Sequence, residues 1–105
     1  MDINGIMKQA QQMQGKMAEI QEELAQKTVT GSAGGGMVST SVNGKGELLG
    51  ITIEKELITL DDVDMLQDLI VAATNDGLRK AKELGKSEMG RLTSGLNIPG
   101  LSNML

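Results

Sequence analysis

The side chains that can do chemistry in this chain are carboxylates, lysines, arginines and hydroxyls, because its 105 residues include no His, Cys or aromatic residue. The usual zinc sites, thiol nucleophiles and Ser–His pairs are therefore excluded. The N-terminus lacks the pattern of a signal peptide, and no apolar run reaches the roughly 18 residues of a membrane span. We expect a cytoplasmic protein that is not an enzyme, with no cofactor, no small-molecule substrate and no membrane partner.

Two motifs resemble ligand sites without meeting their requirements. Asp61, Asp62 and Asp64 are close in sequence but lack the glycine and terminal glutamate of an EF-hand loop. They are better interpreted as the acidic start of a helix, and a carboxylate-based hydrolase has only this cluster in its favour. Residues 32–36 (SAGGG) lack the Gly-Lys-Ser/Thr ending of a phosphate-binding loop and precede no helix. We expect a glycine bend between two strands there.

Positive charge is concentrated late in the chain, although the net charge is −4. Residues 28–64 contain two lysines and six acids, whereas residues 65–105 contain five basic residues and four acids. The overall acidity argues against general binding of polyanions, but it is compatible with a local basic surface. A solvated helix end laced with salt bridges is the alternative, because Asp76 can pair with Lys80 and Glu83 with Arg79.

The first helix is predicted by an unbroken 3-4-3-4 repeat of apolar residues with polar flanks, and Ala10 continues the repeat. This period is typical of a coiled-coil seam. A helix with so narrow an apolar seam is expected to pair along it, either with the second helix of its own chain or across a subunit boundary. The seam residues are Ile3, Ile6, Met13, Met17, Ile20 and Leu24.

A small sheet is predicted in the middle of the chain, with strands at residues 28–30, 37–42 and 47–54. The step from Asn43 to Gly44 predicts a hairpin with a tight turn whose two central residues have positive φ. The alternation of the third strand places Leu49, Ile51 and Ile53 on its buried face. Leu48 and Thr52 are expected on its other face.

A second long helix is predicted over residues 65–92, with room for a separate short turn at residues 61–64. Its apolar stripe narrows to small residues, so that another backbone can approach closely; these are Ala73, Gly77 and Ala81. Residues 1–92 are predicted to form a single domain, followed by a flexible tail at residues 93–105. The fold class is therefore α+β, with a three-stranded antiparallel β-meander between two long helices. A small core without aromatic residues suggests dependence on a partner subunit.

Five segments in this order and spacing resemble the YbaB/EbfC family of bacterial nucleoid-associated proteins, and the resemblance covers nearly the whole chain. They are residues 7–13 (MKQAQQM), 31–38 (GSAGGGMV), 42–47 (VNGKGE), 68–77 (DLIVAATNDG) and 92–100 (LTSGLNIPG). The resemblance implies a homodimer with projecting helical arms that binds double-stranded DNA in the nucleoid and organises the chromosome or influences gene expression. Gly77 stands where family members often have alanine, which suggests a looser helix centre.

DNA binding by this chain would depend on phosphate contacts, because no aromatic side chain is available to stack on bases. The candidate contact residues are Lys8 and Lys16 on the first helix and Arg79, Lys80, Lys82 and Lys86 on the second. The alternative function is a protein-interaction or assembly module that uses the apolar seam of the first helix without direct DNA binding. Methionines in such a seam adapt to varied partners.

Overall fold

Two long helices flank a three-stranded antiparallel sheet in the computed structural model, which describes residues 2–59 and 61–96. In chain order the elements are α1 (Ile3–Gln26), β1 (Thr28–Ala33), β2 (Val38–Asn43), β3 (Leu48–Ile53), a 3₁₀ turn (Lys55–Leu57) and α2 (Val63–Leu96). The predicted α+β order is confirmed, and the strand order β1-β2-β3 is that of a meander. Of the predicted tail, residues 93–96 belong to α2, and residues 97–105 lie outside the described residues.

The start of α2 is capped by one of the aspartates that the sequence assigned to this role. The carboxylate of Asp62 accepts the backbone N–H of Met65 at 3.1 Å, and Asp64 lies in the first helical turn. Both positions stabilise the positive end of the helix dipole. Within residues 2–59 and 61–96, no group of three acidic side chains is placed to hold a metal ion.

The small core lies between the sheet and the first half of α2. Val38, Leu57 and Ala73 form its buried centre, and partly buried apolar side chains of α2 pack around them. The latter are Leu66, Leu69 and Ile70. Burial of each large aliphatic side chain stabilises the fold by about 1.5–3 kcal/mol, so a core of this size gives little excess stability.

Small residues allow the backbone of α2 to approach the sheet closely, as the sequence predicted. The hydroxyl of Thr40 donates to the carbonyl of Ala73 at 2.8 Å in the buried interface. A Cβ added to Gly31 of β1 would collide with backbone atoms of Ala73 and Gly77. A Cβ on Gly77 would lie 2.7 Å from Cγ2 of Val42. Gly77 therefore lets the centre of α2 pack against the sheet.

The predicted faces of β3 are wrong for Leu48 and Leu49, because a β-bulge shifts the register there, whereas Ile51 and Ile53 keep their predicted face. Ser41 pairs with Gly50 and Val42 pairs with Leu48, so Leu49 is an extra residue in β3. Residues directly opposite each other share a face, and Leu48 therefore lies on the face of Val42 and Ile51. Leu48, Leu49 and Ile51 are all exposed, since α2 covers β1 and β2 and makes few contacts with β3.

Glycines form both connections between strands, but one turn differs from its predicted type. The expected glycine bend between β1 and β2 is confirmed, with positive φ at all three residues of 34–36. Of the two glycines in the second connection, Gly46 has a positive φ, at 87°, and Gly44 does not, so the predicted tight two-residue turn is wrong. Gly44 serves another purpose, because a Cβ there would lie 2.7 Å from the carbonyl oxygen of Leu24 in α1.

Candidate nucleic-acid interface

The apolar seam of α1 is only partly covered by its own chain. Leu24 is buried at the C-terminal end of the helix, and Met13 and Ile20 are half-buried. The other seam residues, Ile3, Ile6 and Met17, are exposed, and Ile3 exposes 67% of its surface. The N-terminal part of α1 therefore projects from the body with apolar side chains that residues 2–59 and 61–96 leave exposed.

One buried carboxylate attaches α1 to α2. Glu88 accepts a hydrogen bond from Lys27 at 2.8 Å and one from Arg91 at 2.7 Å. The pKa of Glu88 is lowered chiefly by the Lys27 ammonium, against the opposing effect of burial, with a further contribution from Arg91. This contact joins residues that are 61 positions apart in sequence and sets where the arm leaves the body.

Arg79 and Lys80, two of the predicted DNA-contacting residues, are engaged in ion pairs. The Arg79 guanidinium contacts Asp76 at 2.9 Å and Glu83 at 2.7 Å. Lys80 contacts Asp76 at 3.1 Å and donates to the carbonyl of Thr30 at 3.0 Å. The expected pairs of Asp76 with Lys80 and of Glu83 with Arg79 are confirmed, and the Thr30 contact ties this part of α2 to β1.

Asp76 is the centre of this network. Its carboxylate accepts the backbone N–H of Ser32 at 3.0 Å as well as the two cationic side chains. The Ser32 N–H, followed by Arg79 and Lys80, lowers the pKa of Asp76 to about 2. Asp76 in turn raises the pKa of the Arg79 guanidinium, with help from Glu83. At neutral pH the positive charge of this pair is largely balanced by neighbouring carboxylates.

Lys82 and Lys86 are in a different environment, one helical turn further along α2. Both are exposed, and in the part of the chain that the structure describes neither has an ion-pair partner within 4.0 Å. They line an open groove of about 530 Å³ between the end of α1, the β2–β3 turn and α2. Its other lining residues are Gln21, Leu24, Gly44, Lys45, Gly46, Leu78, Ala81, Gly85 and Met89.

Lys45 is a cation at this groove that the sequence analysis did not select. It lies in the acidic segment of the chain, and the exposed tip of a predicted hairpin was the only local sign of its accessibility. Its position facing Lys82 and Lys86 depends on how the hairpin packs against both helices. The described residues that line this groove include three lysines and no acidic side chain.

The other side of the α1–α2 pair is more acidic. A second hollow there is lined by Lys16 together with Glu19, Glu23 and Glu88, and by Arg91. A neighbouring hollow along α1 is lined by Glu19, Glu22, Glu23 and Gln26. Lys16 therefore lies among carboxylates, whereas Lys8 is exposed further out on the projecting part of α1.

Nearly the whole chain matches the sequence profile of one protein family. The sequence profile described as the YbaB/EbfC DNA-binding family matches residues 1–96. The chain belongs to this family. The resemblance of the five sequence segments is thereby confirmed, and with it membership of a nucleoid-associated, DNA-binding family.

Individual members of the YbaB/EbfC family support the same assignment. A nucleoid-associated protein of Desulfotalea psychrophila is 64% identical over 105 residues, which is 100% of this chain and 99% of that protein. A nucleoid-associated protein of Syntrophobacter fumaroxidans is 56% identical over 95 residues, 90% of this chain and 86% of its own. The crystal structure of an uncharacterized protein from Helicobacter pylori has a TM-score of 0.79 at 30% identity, covering 89% of this chain and 98% of that one.

Neither described helix of this family member meets the length and hydropathy that a membrane span requires. Both helices instead carry charged side chains along much of their length. Among the described residues, these charges are unbalanced at the groove beside Lys82 and Lys86, which has no acidic side chain in its lining.

Proposed function

We propose that this protein is a homodimer that binds double-stranded DNA in the bacterial nucleoid, mainly through phosphate contacts, and helps to organise the chromosome or influence gene expression. The observation that carries this proposal is the exposed pair Lys82 and Lys86, which lies at a groove without acidic lining among the described residues. Cations of this kind release counterions when they neutralise phosphates, and they bind with little regard to base sequence. Membership of a DNA-binding family supports DNA as the partner.

The six candidate residues contribute unequally in this proposal. Lys82 and Lys86 come first, because neither has an ion-pair partner within 4.0 Å among the described residues. Lys8 adds an exposed cation on the α1 arm, and Lys16 adds one beside glutamates. Arg79 and Lys80 contribute least, because a phosphate would have to compete with Asp76 and Glu83 for them.

The dimer is supported by apolar surface that the described part of the single chain leaves exposed. Leu48, Leu49 and Ile51 expose 44%, 57% and 42% of their surfaces on a strand at the edge of the sheet. Neighbouring exposed aliphatic side chains on a sheet edge are a favourable surface for subunit contact. A dimer would also duplicate every basic residue of the DNA-binding surface.

The DNA interaction is tested by measuring the affinity of the full chain for a random-sequence duplex by fluorescence anisotropy at two salt concentrations. Lys82→Glu with Lys86→Glu should weaken binding at low salt by more than about tenfold and flatten the salt dependence, because phosphate contacts are lost. The control is Lys55→Glu, which changes an exposed lysine on the 3₁₀ turn outside the groove. An unchanged affinity in the double variant, with unfolding midpoint preserved, would remove this part of α2 from the DNA surface.

The dimer is tested by measuring molecular mass with light scattering. Leu49→Lys should shift the mass towards that of one chain, because a charge in the subunit contact costs desolvation energy. Val71→Lys is a matched control at an apolar side chain of α2 that is 58% exposed, and it should leave the mass unchanged. If Leu49→Lys keeps the mass of two chains, β3 does not form the subunit contact.

The alternative function, a protein-interaction module, is favoured by the exposed apolar side chains at the start of α1, among them Ile3 and Ile6. Salt separates the two functions. An apolar contact along the seam would be nearly insensitive to salt, whereas DNA affinity should fall steeply between low and moderate salt. A protein that fails to bind duplex DNA even at low salt would favour the seam.

A further inference from the structure

We propose that Lys45 at the tip of the β2–β3 hairpin is a further phosphate-contacting residue. Together, Lys45, Lys82 and Lys86 make the groove a binding site for one stretch of DNA backbone. This inference rests on the proposed function and extends it to a residue in the most acidic third of the chain. The groove has two sides, with Lys45 on the hairpin and the other two lysines on α2.

Lys45 is held by a firmly bonded turn. The side-chain oxygen of Asn43 accepts the backbone N–H groups of Lys45 at 3.1 Å and Glu47 at 3.0 Å. The N–H of Gly46 donates to the carbonyl of Asn43 at 3.0 Å. The backbone of Lys45 therefore has a defined position, and less conformational entropy is lost when its ammonium group contacts a phosphate.

The turn is also attached to α1, which fixes the width of the groove. The N–H of Gly44 donates to the carbonyls of Leu24 at 2.8 Å and Lys27 at 2.9 Å. On the α2 side of the groove, a Cβ on Gly85 would lie 3.9 Å from the carbonyl oxygen of Gly44, so α2 and the turn are close neighbours. The hairpin and α2 thus form one surface.

The ammonium groups of the three lysines at the groove are available to an anion. Within the described residues, Lys45 has no ion-pair partner within 4.0 Å, as is the case for Lys82 and Lys86. The backbone N–H groups of the turn are already bonded, so the anion would be held by ammonium groups alone. Leu78 and Met89 also line the groove, and their apolar side chains suit contact with the apolar edge of a deoxyribose.

The experiment measures duplex affinity of the full chain at about 50 mM and about 200 mM salt, where each phosphate contact accounts for a loss of about 3.5-fold. Two copies of Lys45 in a dimer therefore account for a loss of about twelvefold. Lys45→Ala should remove this share of the salt dependence, and Lys45→Arg, which keeps the charge, should retain it. Lys55→Ala removes the same charge outside the groove, and it should change neither the duplex affinity nor its salt dependence. Unfolding midpoints are measured for every variant.

The outcomes separate this inference from the proposed function. If the wild-type chain binds duplex with steep salt dependence and Lys45→Ala behaves like Lys55→Ala, Lys45 does not contact phosphate and the inference is overturned alone. If Lys45→Arg loses as much affinity as Lys45→Ala, the role of the residue is not its charge, and the inference is again overturned. If the wild-type chain does not bind duplex DNA at all, both the proposed function and the inference about Lys45 are overturned.

Discussion

Two groups of cations lie one helical turn apart on α2, and the structure gives them different roles. Arg79 and Lys80 are paired with Asp76 and Glu83, and Lys80 also bonds the carbonyl of Thr30 in β1. Lys80 thus attaches the helix to the sheet directly, and Arg79 is linked to the sheet through Asp76, which accepts the backbone N–H of Ser32. Lys82 and Lys86 point into an open groove without an ion pair among the described residues. We therefore call them the sheet-tied pair (Arg79 and Lys80) and the groove pair (Lys82 and Lys86).

The comparison separates basic residues whose charge is already compensated from basic residues that have no ion pair among the described residues. Asp76 lies three and four residues before the sheet-tied pair, the spacing at which helical side chains meet. Exposed ion pairs contribute little to stability, yet they lower the positive potential that a phosphate would encounter. The sequence places the two pairs side by side, and their chemistry differs because of their neighbours.

The largest expected effect comes from breaking the contact that supports the sheet-tied pair. Gly31→Ala would place a Cβ against backbone atoms of Ala73 and Gly77, which cannot move without displacing α2 from β1. We expect the free energy of unfolding to fall by more than about 3 kcal/mol, measured by urea denaturation. Gly50→Ala is the control, since a Cβ there has no heavy atom within 4 Å, and it should change stability by about 0.5 kcal/mol or less. Equal stability of both variants would contradict the close helix–sheet contact.

The second prediction compares the two pairs directly by neutralising each. Lys82→Gln with Lys86→Gln should weaken duplex binding by more than about tenfold at low salt, because two uncompensated phosphate contacts per subunit are lost. Arg79→Gln with Lys80→Gln changes the net charge equally but should weaken binding by less than about threefold. Anisotropy titrations at a temperature where circular dichroism shows both variants folded provide the measurement. Equal losses would mean that net charge, and not compensation, decides affinity.

The third prediction releases the sheet-tied pair from its carboxylate. Asp76→Asn should lower the thermal unfolding midpoint by a few degrees, because the Ser32 N–H, Arg79 and Lys80 all lose the Asp76 carboxylate. It should also raise duplex affinity by up to about threefold, since Lys80 loses its ion pair and Arg79 keeps only Glu83. Asp68→Asn makes the same charge change at an exposed position of α2. An equal gain in affinity from both variants would show a general charge effect.

The smallest effect is expected on the thermal unfolding midpoint when the pH is lowered. Asp76, with a pKa of about 2 against a usual 3.8, and Glu88, with a lowered pKa, both bind protons less readily in the folded chain than in the unfolded chain. Their stabilising contribution is present above the unfolded pKa values and is lost as the pH falls through the folded ones. The thermal midpoint should be level from about pH 8 to about pH 5 and should decline below about pH 4. Asp76→Asn should decline less, and a parallel decline would exclude Asp76 as a cause.

Local signals in the sequence predicted the elements well. The heptad repeat of α1, the alternation of β1 and β2, the glycine bend and the capping role of Asp62 all depend on interactions within a few residues. The pairs of Asp76 with Lys80 and Glu83 with Arg79 were predictable for the same reason. The faces of Leu48 and Leu49 in β3 were not predictable, because a bulge at Leu49 reverses the alternation and nothing in the local pattern marks it.

The sequence by itself determined the order of the elements, the helix start and the local excess of positive charge, since backbone periodicity and contacts within one or two turns are written in adjacent residues. Tertiary structure alone decided which charges remain free and where they meet. Lys80 reaches a carbonyl 50 positions away and Lys27 a carboxylate 61 positions away. Lys45 faces α2 only because Gly44 packs against the end of α1. Contacts over such separations depend on the packing of whole elements, which no short stretch of sequence specifies.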